Sequence, residues 1–201
     1  VGTVKSLPSN EAMGFAVVPV SKITGVTATQ GTLYGKSTII WNPDSAASTY
    51  DIYRSTSAGT KGSLIGSSTS PTYDDTTVSG ITHYFYTVVG KNILGVSPDS
   101  DQAEGWGKVP GVVSDLVATQ GTVTDIVRLN WSAVADATSY EVWRSTTPTG
   151  AATKIGTVAA PSITYDDNSA AGVSVYYYSV RTVVGSLVGA DSNQASGYAN
   201  R

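Results

Sequence analysis

The chain has 201 residues, of which 12 are Lys or Arg and 15 are Asp or Glu, so its formal net charge is −3. It contains no cysteine and one histidine, which excludes disulfides, thiolate metal sites and cysteine nucleophiles. Its mildly acidic composition, without a basic cluster, argues against nucleic acid and anionic membranes as partners, because phosphate binding draws on clustered Lys and Arg. The length predicts one large or two small domains.

Composition also predicts the location of the protein. The longest apolar stretch, residues 15–20, is far too short to span a bilayer, which takes about 20 residues, so we expect no membrane insertion. Low charge, no cysteine and abundant Ser and Thr favour an extracellular or cell-surface protein of bacterial origin. Because the chain begins at Val1, we expect a processed mature chain or a piece of a longer one.

One module is repeated along the chain. Residues 28–32 (ATQGT) recur as residues 118–122, and residues 50–56 (YDIYRST) recur as residues 140–146 (YEVWRST). After a two-residue insertion, three further segments recur: 73–75 as 165–167, 84–86 as 176–178, and 99–106 as 191–198. A fixed period fixes the architecture, so we divide the chain into module 1, residues 17–107, and module 2, residues 108–201.

Residues 1–16 lie outside both modules. Residues 9–16 (SNEAMGFA) nevertheless match residues 192–199 (SNQASGYA), which end module 2, and this predicts a third copy of the last strand. The segment is either the remnant of a preceding module in a longer array or a donor strand that adds to the sheet edge of another molecule. Head-to-tail addition of this kind builds filaments unless it closes into a ring.

Short segments of alternating apolar and polar residues predict seven strands in module 1. They lie near residues 23–29, 36–42, 48–55, 62–66, 71–75, 82–90 and 97–106. Alternation directs one set of side chains into a core between two sheets. The set comprises Ile39, Trp41, Tyr50, Ile52, Tyr84, Tyr86 and Val88, and in module 2 Leu129, Trp131, Tyr140, Val142, Tyr176, Tyr178 and Val180. The pattern predicts an all-β chain of two sandwiches.

Three aromatic motifs resemble those of fibronectin type III domains, particularly those of bacterial secreted proteins. The family's second-strand Trp matches Trp41 and Trp131, its third-strand Tyr matches Tyr50 and Tyr140, and its Gly-x-x-x-Tyr-x-Tyr-x-Val sixth strand matches residues 80–88 and 172–180. The resemblance covers both modules. It implies two seven-stranded immunoglobulin-like (fibronectin type III) β-sandwiches in tandem, plus an N-terminal orphan strand within residues 1–16.

The outward faces of the third and sixth strands carry the strongest candidates for binding. Tyr53 follows an inward-facing residue and Phe85 lies between two, so both are predicted to point outward from neighbouring strands. Trp143 and Tyr177 repeat this pair in module 2. Outward aromatic rings stack on sugars, form protein interfaces or stabilise sheets as cross-strand pairs, and the sequence leaves all three interpretations open.

Other residues that could carry chemistry have structural explanations. Three aromatic residues close the last strands, and we expect them at junctions between modules: Phe15, Trp106 and Tyr198. The single histidine, His83, is replaced by Val175 in module 2, which argues against a catalytic base. The repeated Tyr-Asp-Asp motifs fall at turns, where Asp commonly binds backbone amides. We therefore predict no catalytic residue, no metal and no cofactor.

The sequence predicts a non-enzymatic, extracellular structural protein, either a rod-like spacer or stalk or a fibre subunit. Its partners would be other copies of itself or neighbouring modules of the same chain, since modular arrays gain length by repetition. The alternative is an accessory or carbohydrate-binding module of a secreted polysaccharide-degrading enzyme, with a glycan as the partner.

Overall fold

The computed structural model describes residues 17–170 and 172–200. Within these ranges all regular secondary structure is β-strand. The described residues contain no helix that is long and apolar enough to cross a membrane. The strands pair into two separate sets of sheets, one in each module. The boundary at residues 107 and 108 stays a prediction, and the strand Ala103–Lys108 crosses it by one residue.

Module 1 contains nine strand segments. In chain order they are Thr27–Ala28 (β1), Gln30–Tyr34 (β2), Ser37–Ile40 (β3), Thr49–Ser55 (β4), Ser63–Ser68 (β5), Thr72–Asp75 (β6), Tyr84–Asn92 (β7), Gly95–Val96 (β8) and Ala103–Lys108 (β9). One sheet has the order β1-β3-β6, and the other has the order β2-β9-β7-β4-β5, with β8 paired to β7. The β2–β9 pair is parallel.

Module 2 repeats this topology strand by strand. Its segments are Val117–Ala118 (β10), Gln120–Thr124 (β11), Val127–Asn130 (β12), Ser139–Ser145 (β13), Thr153–Ala159 (β14), Thr164–Asp167 (β15), Tyr176–Val184 (β16), Leu187–Asp191 (β17) and Ala195–Asn200 (β18). The sheet orders are β10-β12-β15 and β11-β18-β16-β13-β14, with β17 paired to β16. The β11–β18 pair is again parallel.

The predicted inward-facing side chains form the two cores. Thirteen of the fourteen are buried, and Tyr176, which lies under the guanidinium of Arg144, is half-buried. In module 1 the rings of Trp41 and Tyr50 meet edge to face, with centroids 5.2 Å apart, and the matching pair in module 2 lies 5.4 Å apart. Aromatic pairs of this geometry contribute about 0.5–1.5 kcal/mol beyond the area they bury.

The first predicted strand is corrected by the structure. Residues 23–29 were predicted to form one strand, but only Thr27–Ala28 (β1) does so, and the chain then passes to the other sheet at Gln30–Tyr34 (β2), which no predicted strand covered. At the switch, the side-chain oxygen of Thr29 accepts a hydrogen bond from the β3 backbone at 2.9 Å, and its carbonyl accepts one from the N–H of Trp106 at 3.1 Å. Gly31 (φ +63°) and Gly121 (φ +65°) adopt the left-handed conformation that favours glycine, which explains why ATQGT recurs.

The last strand of module 1 is shorter than predicted. It was predicted at residues 97–106 and begins at Ala103, because before that point serine hydroxyls take the place of backbone carbonyls as acceptors from β7. Backbone N–H groups of β7 donate to the hydroxyl of Ser97 at 3.0 Å and to that of Ser100 at 2.9 Å. Pro98, between them, has no N–H to give to a sheet.

Candidate functional site

Tyr53 and Phe85 lie on the outward faces of β4 and β7, and both are half-buried. Phe85 lies opposite Ser55, two residues along β4 from Tyr53, so the two rings are staggered rather than directly opposed. The ring of Tyr53 contacts a cation of its own module: the Nζ of Lys61 lies 4.2 Å from the ring centroid. Lys61 also forms an ion pair with Asp99, which fixes the ammonium group over the ring.

Trp143 and Tyr177 occupy the matching places in module 2 and are again half-buried and staggered. The guanidinium of Arg181 lies 4.3 Å from the Trp143 ring centroid, and it donates two hydrogen bonds to Asp191, at 2.7 and 3.0 Å. These bonds hold the pKa of Asp191 below its usual range. The indole N–H of Trp143 donates to Glu141 at 3.2 Å, so the ring is fixed both at its edge and on its face.

These contacts determine what the outward rings can do. A cation over an aromatic face contributes about 0.5–1 kcal/mol at an exposed site and about 2 kcal/mol when desolvated. A sugar that stacked on that same face would have to displace the cation and disturb its ion pair. The geometry of Tyr53 and Trp143 therefore favours stabilisation of the sheet over recognition of a ligand.

Trp106 and Tyr198 pack inside their own modules. Each ring lies over a glycine of the neighbouring parallel strand: a Cβ atom at Gly31 would come within 2.7 Å of the Trp106 Nε1, and one at Gly121 within 2.6 Å of the Tyr198 ring. Real Cβ contacts are almost never this short, so glycine is required at both positions for the ring to lie flat. The two rings thus pack the last strand of each module, β9 or β18, against its parallel neighbour, β2 or β11.

The single histidine has a packing role. The ring of His83 stacks on Trp106, with centroids 4.2 Å apart and an interplanar angle of 17°, although His83 itself is exposed. Phe15 lies outside the described residues, and a place for Phe15, Trp106 and Tyr198 at module junctions stays a prediction.

The first aspartate of each Tyr-Asp-Asp motif binds a cation within the neighbouring strand or directly before it. Asp74 pairs with Lys36 at 2.7 Å, and Asp166 accepts two hydrogen bonds from Arg128, at 2.7 and 2.8 Å. The hydrogen bond from the cation lowers the pKa of each aspartate. Among the residues that the structure describes, no group of three or more His, Asp and Glu side chains is placed to hold a metal ion.

The second aspartate of the motif in module 2 is the centre of a buried polar cluster. Asp167 is 2% exposed and accepts hydrogen bonds from the N–H of Ser169 at 3.0 Å, from Arg144 at 2.7 Å and from the hydroxyl of Tyr178 at 3.0 Å. Burial alone would raise the pKa of Asp167, but the bonds from Ser169 and Arg144 outweigh it and hold that pKa low. Burial and the neighbouring carboxylate raise the pKa of Tyr178.

The cations that cover the outward rings were missed at the sequence level. Lys61 precedes β5, whereas Arg181 lies within β16, so no shared position links them and comparison of the repeats could not find them. The Arg144–Asp167 pair did leave a signal, because Arg54 and Asp75 occupy the matching positions of module 1.

No family model matches the chain, and no curated protein matches it. Many solved structures resemble part of it. A Fn3-like protein from Clostridium thermocellum is 30% identical, covers 47% of this chain and 97% of its own, and has a TM-score of 0.42. The FN1–FN3 domains of chicken CNTN1 are 16% identical, with coverage of 91% and 69% and a TM-score of 0.43.

The third likeness is to part of an enzyme. Pectate lyase Pel3 from Pectobacterium carotovorum is 28% identical, with a TM-score of 0.38, and the match covers 43% of this chain and 27% of the lyase.

Proposed function

We propose that this chain, which consists of two fibronectin type III-like modules in tandem, is a non-catalytic, load-bearing protein of the bacterial cell surface or of a secreted assembly. It would act as a rod-like spacer or stalk, or as a fibre subunit, with other copies or neighbouring modules as its partners. The observation that carries the proposal is the parallel pairing of the first and last long strands within each module.

In module 1 the parallel pair is β2–β9, and hydrogen bonds hold it at both ends. The N–H of Trp106 donates to the carbonyl of Thr29 at 3.1 Å, and the N–H of Gly35 donates to the carbonyl of Lys108 at 3.2 Å. A pull on the chain before β2 and after β9 drags the two strands in opposite directions along their own axes. All bonds of the pair are then loaded together in shear rather than broken one after another.

Module 2 has the same clamp between β11 and β18. The N–H of Tyr198 donates to the carbonyl of Thr119 at 3.2 Å, and the N–H of Asp125 donates to the carbonyl of Asn200 at 2.9 Å. Each module thus has a parallel pair that tension along the chain would load in shear.

Single-molecule force extension of the full chain tests this proposal. With handles at both ends, we expect two separate unfolding events, each releasing about 30 nm of chain at about 3.4 Å per residue. A chain that extends smoothly, without a force peak for either module, would contradict a load-bearing role.

Assembly into fibres by strand addition through residues 1–16 stays a prediction, because these residues lie outside the described part of the chain. Light scattering after size exclusion compares residues 1–201 with residues 17–201 over a range of concentrations. Strand addition predicts oligomers of the longer chain and monomers of the shorter one. Monomers of both would exclude strand addition and leave the spacer as the only proposed role.

A carbohydrate-binding role is the second candidate, and the capped rings of Tyr53 and Trp143 weigh against it. We expect the chain to flow through insoluble cellulose and chitin. Retention that is lost in both Tyr53→Ala and Trp143→Ala, but kept in a control such as Ile81→Ala, would instead establish glycan stacking.

A further inference from the structure

Exposed apolar side chains gather at one tip of module 1. The hairpin of β7 and β8 carries Ile93, Leu94 and Val96, whose exposed fractions are 86%, 56% and 66%. Asn92 ties this hairpin to the start of the described chain: its Nδ2 donates to the carbonyl of Val18 at 2.7 Å, and its Oδ1 accepts from the N–H of Leu94 at 2.8 Å. We call the five apolar residues Val17, Val18, Ile93, Leu94 and Val96 the hairpin surface.

A cleft adjoins this surface. The Nδ2 of Asn92 also donates to the carbonyl of Ala46 at 3.1 Å, and both Val18 and Ala46 line a cleft of about 520 Å³ together with Pro19 and Pro43. Asn92 therefore connects the apolar tip with this cleft, whose remaining lining is mostly polar.

The fold does not require this apolar tip. At the matching positions of module 2, Gly185 and Ser186 stand in place of Ile93 and Leu94, and the same strands form around them. Hairpin tips favour Gly, Asn, Asp and Ser, and contiguous exposed apolar side chains mark an interaction site. The tip of module 1 thus carries Ile93 and Leu94 for a reason other than folding.

We propose that residues 1–16 of the same chain cover the hairpin surface. These residues join the described chain at Val17, which is itself part of that surface, and they include Leu7, Met13 and Phe15. Sixteen extended residues reach about 50 Å, more than the return to the hairpin needs. A short tether also gives the segment an effective concentration of about 1 mM, which a second copy does not reach in dilute solution.

This inference does not rest on the load-bearing role. Strand addition would place residues 1–16 on another molecule, whereas docking on the hairpin surface keeps them on their own chain. The dependence on protein concentration separates the two.

Hydrogen exchange read by mass spectrometry tests the inference by comparing residues 1–201 with residues 17–201. We expect the amides of residues 92–97 to exchange about fivefold more slowly in the longer chain, by the same factor from about 1 μM to about 100 μM protein. Equal exchange in both chains would overturn the inference, and protection that disappears on dilution would do so too, because it would assign the surface to a second copy.

A matched pair of variants tests the contact itself. The double substitution Ile93→Ser and Leu94→Ser changes only exposed side chains, so the fold is retained, and it should abolish the slower exchange within residues 1–16. The control Ile81→Ser removes an Ile outside the hairpin surface that is 68% exposed, and it should leave that protection unchanged. Loss of protection in both variants, or in neither, would contradict docking on the hairpin surface.

Discussion

The two modules place a cation over the same outward ring but take it from different parts of the fold. In module 1 the cation is Lys61, which precedes β5, and in module 2 it is Arg181, which lies within β16. Each is held by an aspartate, Asp99 or Asp191. The ring and the aspartate keep their positions while the cation moves, which indicates that the energetics of the sheet maintain the contact.

The first aspartate of the repeated motif shows the same behaviour. Asp74 is bound by Lys36 and by the hydroxyl of Thr38, whereas Asp166 is bound by Arg128, the residue that matches Thr38. The hairpin tips do not keep their contacts in this way. Their strands pair alike in both modules, but Gly185 and Ser186 of module 2 replace Ile93 and Leu94 of module 1. The two modules thus share the same sheets and differ mainly at the hairpin tips.

The largest expected effect comes from the buried cluster of module 2. Asp167→Asn leaves the guanidinium of Arg144 without its carboxylate, and we expect a loss of about 4 kcal/mol in the unfolding free energy of module 2. Hydrogen exchange resolves the modules separately, with module 1 as the internal reference. The control Asp166→Asn, in a surface pair, should lose less than about 1 kcal/mol. Equal losses in the two variants would show that burial of the pair does not matter.

The glycine under Trp106 should be the next most sensitive position. Gly31→Ala introduces a Cβ that meets the indole, on top of a left-handed backbone, and we expect a loss of about 3 kcal/mol in unfolding free energy. Gly59→Ala is the matched control, since Gly59 also has a positive φ but no atom within 4 Å of its added Cβ. It should lose only about 1 kcal/mol. If Gly31→Ala is no worse than the control, the ring does not pack as described.

Acid should weaken module 2 through the same cluster. The pKa of Asp167 is lower in the folded state than the value near 4 of an unfolded chain, so its contribution is complete above about pH 4 and is lost as the pH falls through the folded pKa. Urea unfolding between about pH 6 and about pH 2 measures this dependence. In Asp167→Asn the loss of stability below about pH 4 should be smaller, and an unchanged dependence would assign it to other carboxylates.

The smallest effect concerns the capped rings. Arg181→Ala and Lys61→Ala each remove a cation from an aromatic face and should lower stability by about 0.5–1 kcal/mol. Lys22→Ala removes a comparable ion pair that has no ring beneath it, and its partner Asp101 has a side chain that is 93% exposed. Its effect should be close to zero. An effect of Lys22→Ala as large as the other two would assign the stabilisation to surface charge rather than to the rings.

Much of the fold could be predicted from the sequence. The fibronectin type III-like recognition and the two β-sandwiches are confirmed, because alternation and the aromatic motifs at Trp41, Tyr50 and Tyr84 determine which face of each strand is buried. The strand β2 and its place in the other sheet were not predicted, because they depend on the left-handed backbone at Gly31 and on a backbone hydrogen bond that the side chain of Thr29 accepts. Alternation carries no information about either.

The outward rings show where prediction from sequence ends. Their direction followed from the period of two in a strand, and their half-burial agrees with it. Their partners did not follow, because the reach of Lys61 across the sheet depends on three-dimensional contacts that the repeat does not preserve. The contacts of the cations with the rings favour sheet stabilisation, one of the three interpretations that the sequence left open.

The most direct test of the load-bearing account compares Trp106→Pro with Trp106→Ala under force. Both variants lose the indole ring, but only the proline variant loses the N–H that binds the carbonyl of Thr29 across the parallel pair. The account predicts that module 1 unfolds at a clearly lower force in Trp106→Pro than in Trp106→Ala, while module 2 keeps its force in both. Equal unfolding forces for module 1 in the two variants would contradict a clamp formed by β2 and β9.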